Sequence, residues 1–568
     1  MGKWPTGKQW TRFFKILTFR ERWIVRSLIF IILGSCLTLL ILFYLENTII
    51  EPRIGGEYRE GIFGQPRYIN PVLSQTNDTD RDLVQLIYSS LFKYDNQGNL
   101  ITDLAERYEI GEEGLVYTVF LKENVYWHNG EKFSADDVIF TIKTIQDPEY
   151  NSPLRNIWLG VEIEKIDEFT VSFKLSSIYA NFLHNLTVGI LPKHLWAGIS
   201  GQNFPLAVYN LKPIGSGPYK FEEFAKNEEG QIESMELTYN ENFYLLFKDR
   251  IQGPFIKKII FKFYNSQESL TKAYQQRQID GLSSLSTSNQ SKIRNNLTIY
   301  EIKMPIYYAV FFNQNKSKAL ADKTVRMALA YAINKEKIID EVLNGKGTRV
   351  DSPLLPNWPN CALETNIYEF ALEHAQNILE AEGWVDSDND NIREKEETKL
   401  EIEMLVTDWS EIRRTAELIR EQWEKIGVKI NLKIVEASVI QKDYIRPREY
   451  QALLFGEILG ADPDPFAFWH SSQKKDPGLN LSLYQNKEVD KLLQDARQTL
   501  DQTVRQEKYA EFQKLLIEDI PCIFLYSPSY IYPVNKKVKG ISIEKMTEPS
   551  QRFSQVENWY IKTKRIWK

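Results

Sequence analysis

The chain has 568 residues, 43% apolar and 26% charged, with 13 Trp, 29 Tyr and 30 Phe. That composition excludes a disordered protein, and the length exceeds what one hydrophobic core serves, so several domains are expected. Three cysteines (Cys36, Cys361, Cys522) cannot build a disulfide scaffold, and the five histidines show no HxxxH spacing for zinc; the net charge of −6 argues against general nucleic-acid binding.

The charge is unevenly placed. Residues 1–46 carry seven Lys/Arg against Glu21 and Glu46, a net of +5, which leaves −11 on the rest of the chain. Ser27 to Leu45 then runs for 19 uncharged residues, SLIFIILGSCLTLLILFYL. As a helix it would extend roughly 28 Å, about the thickness of bilayer hydrocarbon. The preceding basic flank predicts that residues 1–26 are cytoplasmic and that residue 46 onward lies outside. Trp23 and Tyr44 stand near the two ends, where interfacial aromatics belong. Leu33-Gly34-Ser35-Cys36 also resembles a lipobox, but the apolar run continues from Thr38 to Leu45, which favours an uncleaved anchor.

Residues 46–60, with Pro52 and Gly55-Gly56, read as a tether. Leu115 to Leu121 alternates as a strand, and Asn129-Gly130 marks a turn. Ser134-Ala-Asp-Asp137 opens a helix with a capping residue and two carboxylates at the positive end of the dipole, and Ile139 and Phe140 lie on its apolar face. Met304 to Asn313 is an aromatic strand, followed by helices over about 323–333 and from the cap Asn334 to Leu343, closed by Gly345. Further helices are predicted over 368–381, 411–425, 490–500 and 503–519. Strands are predicted over 428–435, 450–454 and 522–526, the last after Pro521. Cys361 and Cys522 have no local partner, and both are expected to be unbridged.

Asp386-Ser-Asp-Asn-Asp-Asn-Ile-Arg-Glu-Lys-Glu-Glu397 places carboxylates at positions 1, 3, 5 and 12 of a calcium-type loop. Its sixth position is Asn391 rather than Gly, so a solvated hairpin is the better reading. The sequence contains no GxSxG, P-loop or HExxH, and its acid pairs have ordinary explanations as helix starts, turns and solvated faces. Catalysis is not expected.

Several stretches carry a resemblance: Asp103-Leu-Ala-Glu106, Tyr117 to Lys122, Trp127 to Phe140, and Ile214-Gly-Ser-Gly-Pro-Tyr-Lys-Phe221. Others are Val325 to Asn334, Leu379 to Trp384, Trp423 to Val428, Ala461-Asp-Pro-Asp-Pro-Phe466, Tyr484 to Asp490 and Pro521 to Tyr526. In this order they resemble the extracytoplasmic solute-binding proteins of bacterial ABC importers, family 5, the dipeptide- and oligopeptide-binding type. In these motifs Gly215 and Gly217 are expected at a tight crossover, Trp127 and Phe133 in the core, and Arg326 in a structural ion pair.

The resemblance implies an α/β, two-lobed type II periplasmic-binding-protein fold with an extra small domain, here preceded by one transmembrane helix. The expected organisation is a cytoplasmic segment 1–26, anchor 27–45, tether 46–60, and a first lobe 61–300 with a small domain inserted at about 86–204. A second lobe over 301–520 follows, and 521–568 returns to the first. The implied function is capture of a peptide or similar small solute between the lobes, and delivery to ABC permease subunits at the cell membrane, by a monomer without cofactor or nucleic-acid partner. The rival reading is a surface receptor that keeps the binding fold without transport.

In dipeptide and oligopeptide members an Asp just before the segment matching Ala461 to Phe466 holds the ligand's amino terminus. The matching position here is Leu459, and Glu457 is the nearest carboxylate. Glu457 is therefore a candidate counter-charge for a cationic ligand, with a structural salt bridge as the alternative. Gly456 would admit a ligand backbone and Phe455 would form an apolar wall. Tyr307, Tyr308 and Asn313 on the aromatic strand complete the candidate binding set. Peptides, oligosaccharides and metal chelates all remain open as ligands.

Overall fold

The computed structural model describes residues 6–7, 16–243, 253–283, 285, 297–356, 358 and 368–568. Cys361 lies outside these residues; Cys522 is buried and unbridged.

The apolar run lies in a single helix, Phe19–Asn47, with no buried residue. Thr18 and Glu21 form its capping box, so its amino end is closed by its own sequence. Residues 46–60 do not form the expected tether. Thr48–Arg53 is a strand paired antiparallel with Lys562–Trp567, and Glu57–Phe63 is already part of the main sheet. The partner strand is about five hundred residues away, so no local signal announced it.

Among the described residues, twelve strands form one sheet that runs through both lobes. The second lobe orders Lys429–Val435, Glu401–Thr407, Ala452–Ile458 and Ile306–Phe312; the first orders Gly281–Leu282, Glu57–Phe63, Lys258–Tyr264, Ile232–Tyr239 and Tyr219–Lys226. Cys522–Asn535 joins them. Cys522, Ile523, Phe524 and Tyr526 pair with Ile306–Phe312, whereas Ser529 to Asn535 pairs with Leu297–Lys303. Only Met304 and Pro305 separate Leu297–Lys303 from Ile306–Phe312. The lobes are thus connected by a neck of two adjacent strand crossings, a geometry suited to hinge closure.

Each lobe has its own core. Helices Lys323–Tyr331, Lys335–Leu343 and Ser410–Glu424 bury Leu329, Ile338, Ile419 and Trp423 against one face of the second lobe's sheet. The small domain is a separate sheet, ordered Ala105–Gly111, Val116–Leu121, Thr170–Leu175, Val161–Asp167, and helix Ala135–Gln146 packs beside it. The Ser134 capping box is formed, with the Ser134 N–H donating to Asp137 Oδ2. Trp127 and Phe133 are buried in edge-to-face contact. A Cβ at Gly217 would come within 2.6 Å of Leu86 O, and one at Gly215 would strike Ile87 O; both glycines let backbone press against the end of helix Asp78–Ile87.

Arg326 departs from the expected ion pair. Its guanidinium donates to the carbonyls of Leu320, Ala321, Asp519 and Ile520. These are the unsatisfied acceptors at the ends of helices Lys318–Ala321 and Gln502–Asp519, where a cation also complements the dipole. In the first lobe the buried Arg552 guanidinium binds Glu60 and Asp82, and so fixes Pro549–Phe553 to strand Glu57–Phe63.

Candidate functional site between the lobes

Strand register defines which edges face the cleft. Ile306, beside the neck, is opposite Ile458, and Glu401–Thr407 runs parallel to Ala452–Ile458. The carboxyl ends of both parallel strands therefore point toward the neck and the first lobe, where ligands bind in open α/β sheets. Trp409, at the start of helix Ser410–Glu424, is 54% exposed there, and Ile458 is 59% exposed. On the other side Glu57–Phe63 also runs toward the neck and leaves Phe63 half exposed.

A clasp of side chains crosses between the small domain and the second lobe. Arg505 Nη1 donates to Asn181 Oδ1 at 2.8 Å and Nη2 to Asp462 Oδ2 at 2.5 Å; Asn181 Nδ2 donates back to Asp462 O at 2.8 Å. Beside it, Arg497 pairs with Asp464 at 2.8 Å and lies over the rings of Tyr179 and Phe466. Ala180 N donates to Arg497 O. A cavity of about 460 Å³ opens next to this contact, lined by Ile178, Tyr179, Phe182, Phe466, Gln494 and Arg497. Burial first, then the charges of Glu548 and Asp462, hold the Tyr94 hydroxyl above its ordinary range.

The candidates around Glu457 are placed differently from the expectation. Glu457 is buried, and no Lys or Arg among the described residues pairs with it. It lies opposite Tyr307, whose hydroxyl donates to Glu457 Oε2. Burial pushes the Glu457 carboxyl up to about 8, against the opposing effect of the Tyr307 hydrogen bond. At pH 7 it is chiefly a neutral acid inside the second lobe, not a counter-charge facing solvent. The reason is strand parity: Glu457, Phe455 and Leu453 share the face that packs with Tyr307, Phe524 and Trp469.

Gly456 lies opposite Tyr308, and a Cβ there would approach Tyr308 Cε1 to 3.0 Å; the space beside the glycine is filled by that ring rather than left for a ligand. Tyr308 is half-buried and tilted against Tyr526 at 5.5 Å. Asn313 is buried at the far end of its strand, where Nδ2 donates to Arg448 O at 3.0 Å. The expected set is thus brought together only in part, as two adjacent strands. Trp409, Asn181 and Arg505 were not singled out from the sequence; the ADPDPF stretch holding Asp462 was the one available signal.

The calcium-type loop folds as an exposed hairpin. Oxygens of Asp386, Asp388, Asp390 and Glu394 lie within 4.8 Å of one another, and Lys399 Nζ binds Asp388 and Asp390 from the strand Thr398–Lys399. Asp386 accepts from the N–H groups of Asp390 and Asn391, so its loop is closed by internal bonds.

Comparison with known proteins agrees with this architecture. Residues 99–479 match the family described as bacterial extracellular solute-binding proteins, family 5 Middle. The oligopeptide-binding protein AppA of Bacillus subtilis (strain 168) is 29% identical over 521 residues, 90% of this chain and 92% of AppA. Its structure with a nonapeptide superposes at a TM-score of 0.70 with 28% identity, covering 90% of this chain and 100% of that one. The dipeptide-binding protein of Escherichia coli (strain K12) is 26% identical, covering 85% and 91%. NikZ from Campylobacter jejuni in complex with Ni(L-His) superposes at 0.71 with 29% identity, covering 89% and 99%. The chain belongs to the family 5 bacterial extracellular solute-binding proteins and has their α/β type II binding-protein fold.

Proposed function

We propose that this family 5 solute-binding protein captures peptides or similar small solutes between its lobes and hands them to the permease of an ABC importer. We further propose that it does so as a monomer held at the outer face of the cell membrane by the helix Phe19–Asn47. The observation that carries this reading is the clasp of Asn181, Asp462 and Arg505 across a two-strand neck: two lobes, a hinge and a latch are the parts that capture requires. The peptide class is supported by AppA and the dipeptide-binding protein, and the anchor by the uncharged run Ser27–Leu45 in a helix with no buried residue.

In this reading Trp409, Ile458 and Tyr308 line the second lobe's side of the cleft and Phe63 the first lobe's side, with Phe455 behind them. Tyr307, Gly456 and Glu457 support that wall from within, and Asn313 fixes the far end of the same strand. Leu459 is buried at the position where the resemblance to dipeptide- and oligopeptide-binding members implies an Asp, so selection of a free amine has no carboxylate there. Longer or capped peptides therefore fit better.

The test is mass spectrometry of whatever co-purifies with the full chain in detergent, followed by calorimetry with a mixed nonapeptide pool. Recovery of intact peptides and binding weakened at least tenfold by Trp409→Ala support the reading. Recovery of a chemically converted product, or no heat with the peptide pool, would overturn it.

A further inference from the structure

The apolar helix does not end in a free connector. At Thr48 its backbone passes directly into a strand that pairs with Lys562–Trp567 throughout, from Thr48 opposite Trp567 to Arg53 opposite Lys562. The helix has no basic residue in its own last turn. Arg565 supplies one from the other end of the sequence: its Nη1 donates to Thr48 Oγ1 at 2.8 Å and to Leu45 O at 3.5 Å. The Lys568 N–H donates to Asn47 O at 2.9 Å, and the Trp567 ring meets Tyr44 edge-on at 5.7 Å. A cation at a helix carboxyl end complements the dipole, so helix and ribbon form one joined piece.

The ribbon's composition differs from that of the acidic domain it carries. Within it Arg53, Lys562, Lys564 and Arg565 stand against Glu51 alone, and its flanks add Lys568 and Glu46. Lys562, Lys564 and Arg565 are exposed, and Ile50 and Trp567 are each 60% exposed. With the uncharged run Ser27–Leu45 in the hydrocarbon, the ribbon begins where the headgroup layer begins. Exposed aromatic and basic side chains at that depth have a matching environment in phospholipid headgroups.

We propose that this two-stranded ribbon is a membrane-contacting stalk: its lysines and arginines bind the phosphates of anionic phospholipid in the outer leaflet, with Trp567 seated among the headgroups. The stalk holds the lobes at one stand-off and orientation, because the ribbon is attracted to an anionic surface that repels the acidic lobes. The inference rests on the anchored reading above, and it adds a lipid partner that the anchor by itself does not require.

The test uses the full chain reconstituted into vesicles of phosphatidylcholine alone or mixed equally with phosphatidylglycerol. Hydroxyl-radical oxidation at Trp567 and Ile50 is read by mass spectrometry, with Trp409 as the reference on the lobes. One Lys or Arg near an anionic surface is worth about fivefold in binding. Oxidation of Trp567 relative to Trp409 should therefore slow at least fivefold in the phosphatidylglycerol vesicles. High salt, or the triple variant Lys562→Gln/Lys564→Gln/Lys568→Gln, which spares Arg565, should abolish the difference. Equal rates in both vesicles, with the chain resisting carbonate extraction, would overturn the lipid contact and leave the anchor standing. Release of the chain by carbonate would overturn the anchor and the stalk together.

Discussion

Arg505 Nη1 donates to Asn181 Oδ1 over 2.8 Å and so joins the second lobe to the small domain across 324 positions of sequence. Both residues are buried, and Asp462 completes the triangle. Removing one partner of a buried charge pair costs about 3–5 kcal/mol, because the other charge is left without compensation. Arg505→Met should therefore lower the melting temperature by several degrees and increase the radius of gyration measured by small-angle scattering. Asn181→Ala, which removes a neutral amide that accepts from Arg505, should show a weaker effect of about 1.5–3 kcal/mol. An unchanged radius in both variants would mean that the contact does not hold the lobes together.

Glu457 makes stability depend on pH in a direction opposite to an ordinary salt-bridged acid. Its carboxyl is raised by burial to about 8, whereas an unfolded Glu titrates near 4.3. Between those values the folded state binds the extra proton, so stability falls as pH rises from about 4.5 to about 8 and is lowest above that window. Glu457→Gln cannot ionise and still offers Tyr307 an acceptor. Its unfolding free energy should match the parent's near pH 5 and exceed it at pH 8–9, by an amount on the order of 3–4 kcal/mol, read from urea denaturation. Parallel pH profiles would show that the carboxyl is not buried in this way.

Gly456 and Tyr308 should behave as a coupled pair. Gly456→Ala forces the Tyr308 ring aside and should destabilise by about 1–3 kcal/mol, the usual cost of overpacking. In Tyr308→Ala the same change should cost little, giving a coupling energy above about 0.5 kcal/mol in a double-mutant cycle from urea denaturation. Additive effects would indicate that the ring does not fill the space at the glycine.

Arg552 sets one positive charge against two carboxyls, Glu60 and Asp82, inside the first lobe. Burial nonetheless raises Glu60 to about 7, against the opposing charge of Arg552. Arg552→Met should destabilise by about 3–5 kcal/mol at pH 8, the cost of leaving buried carboxylates unpaired. The loss should shrink toward pH 5, where Glu60 takes up its proton. A loss independent of pH would point to packing rather than charge.

Composition and local order were enough to read the apolar span Ser27–Leu45, the helix cap at Ser134, the cap at Asn334 and the motifs that carry the family. Each depends on residues a few positions apart, where periodicity, capping and turn chemistry act. The environment of Glu457 was not legible that way, because strand parity against Tyr307 decides whether its carboxyl faces solvent or core. Arg326 reads as an ion-pair residue until four helix-end carbonyls converge on it, two of them from Asp519 and Ile520. Residues 48–53 look like a connector until Lys562–Trp567 supplies their hydrogen-bond partners. Short-range physics wrote the helix, its caps and the family motifs into the order of residues. Burial, pairing and charge compensation come from segments hundreds of residues apart, and only the folded chain brings those together.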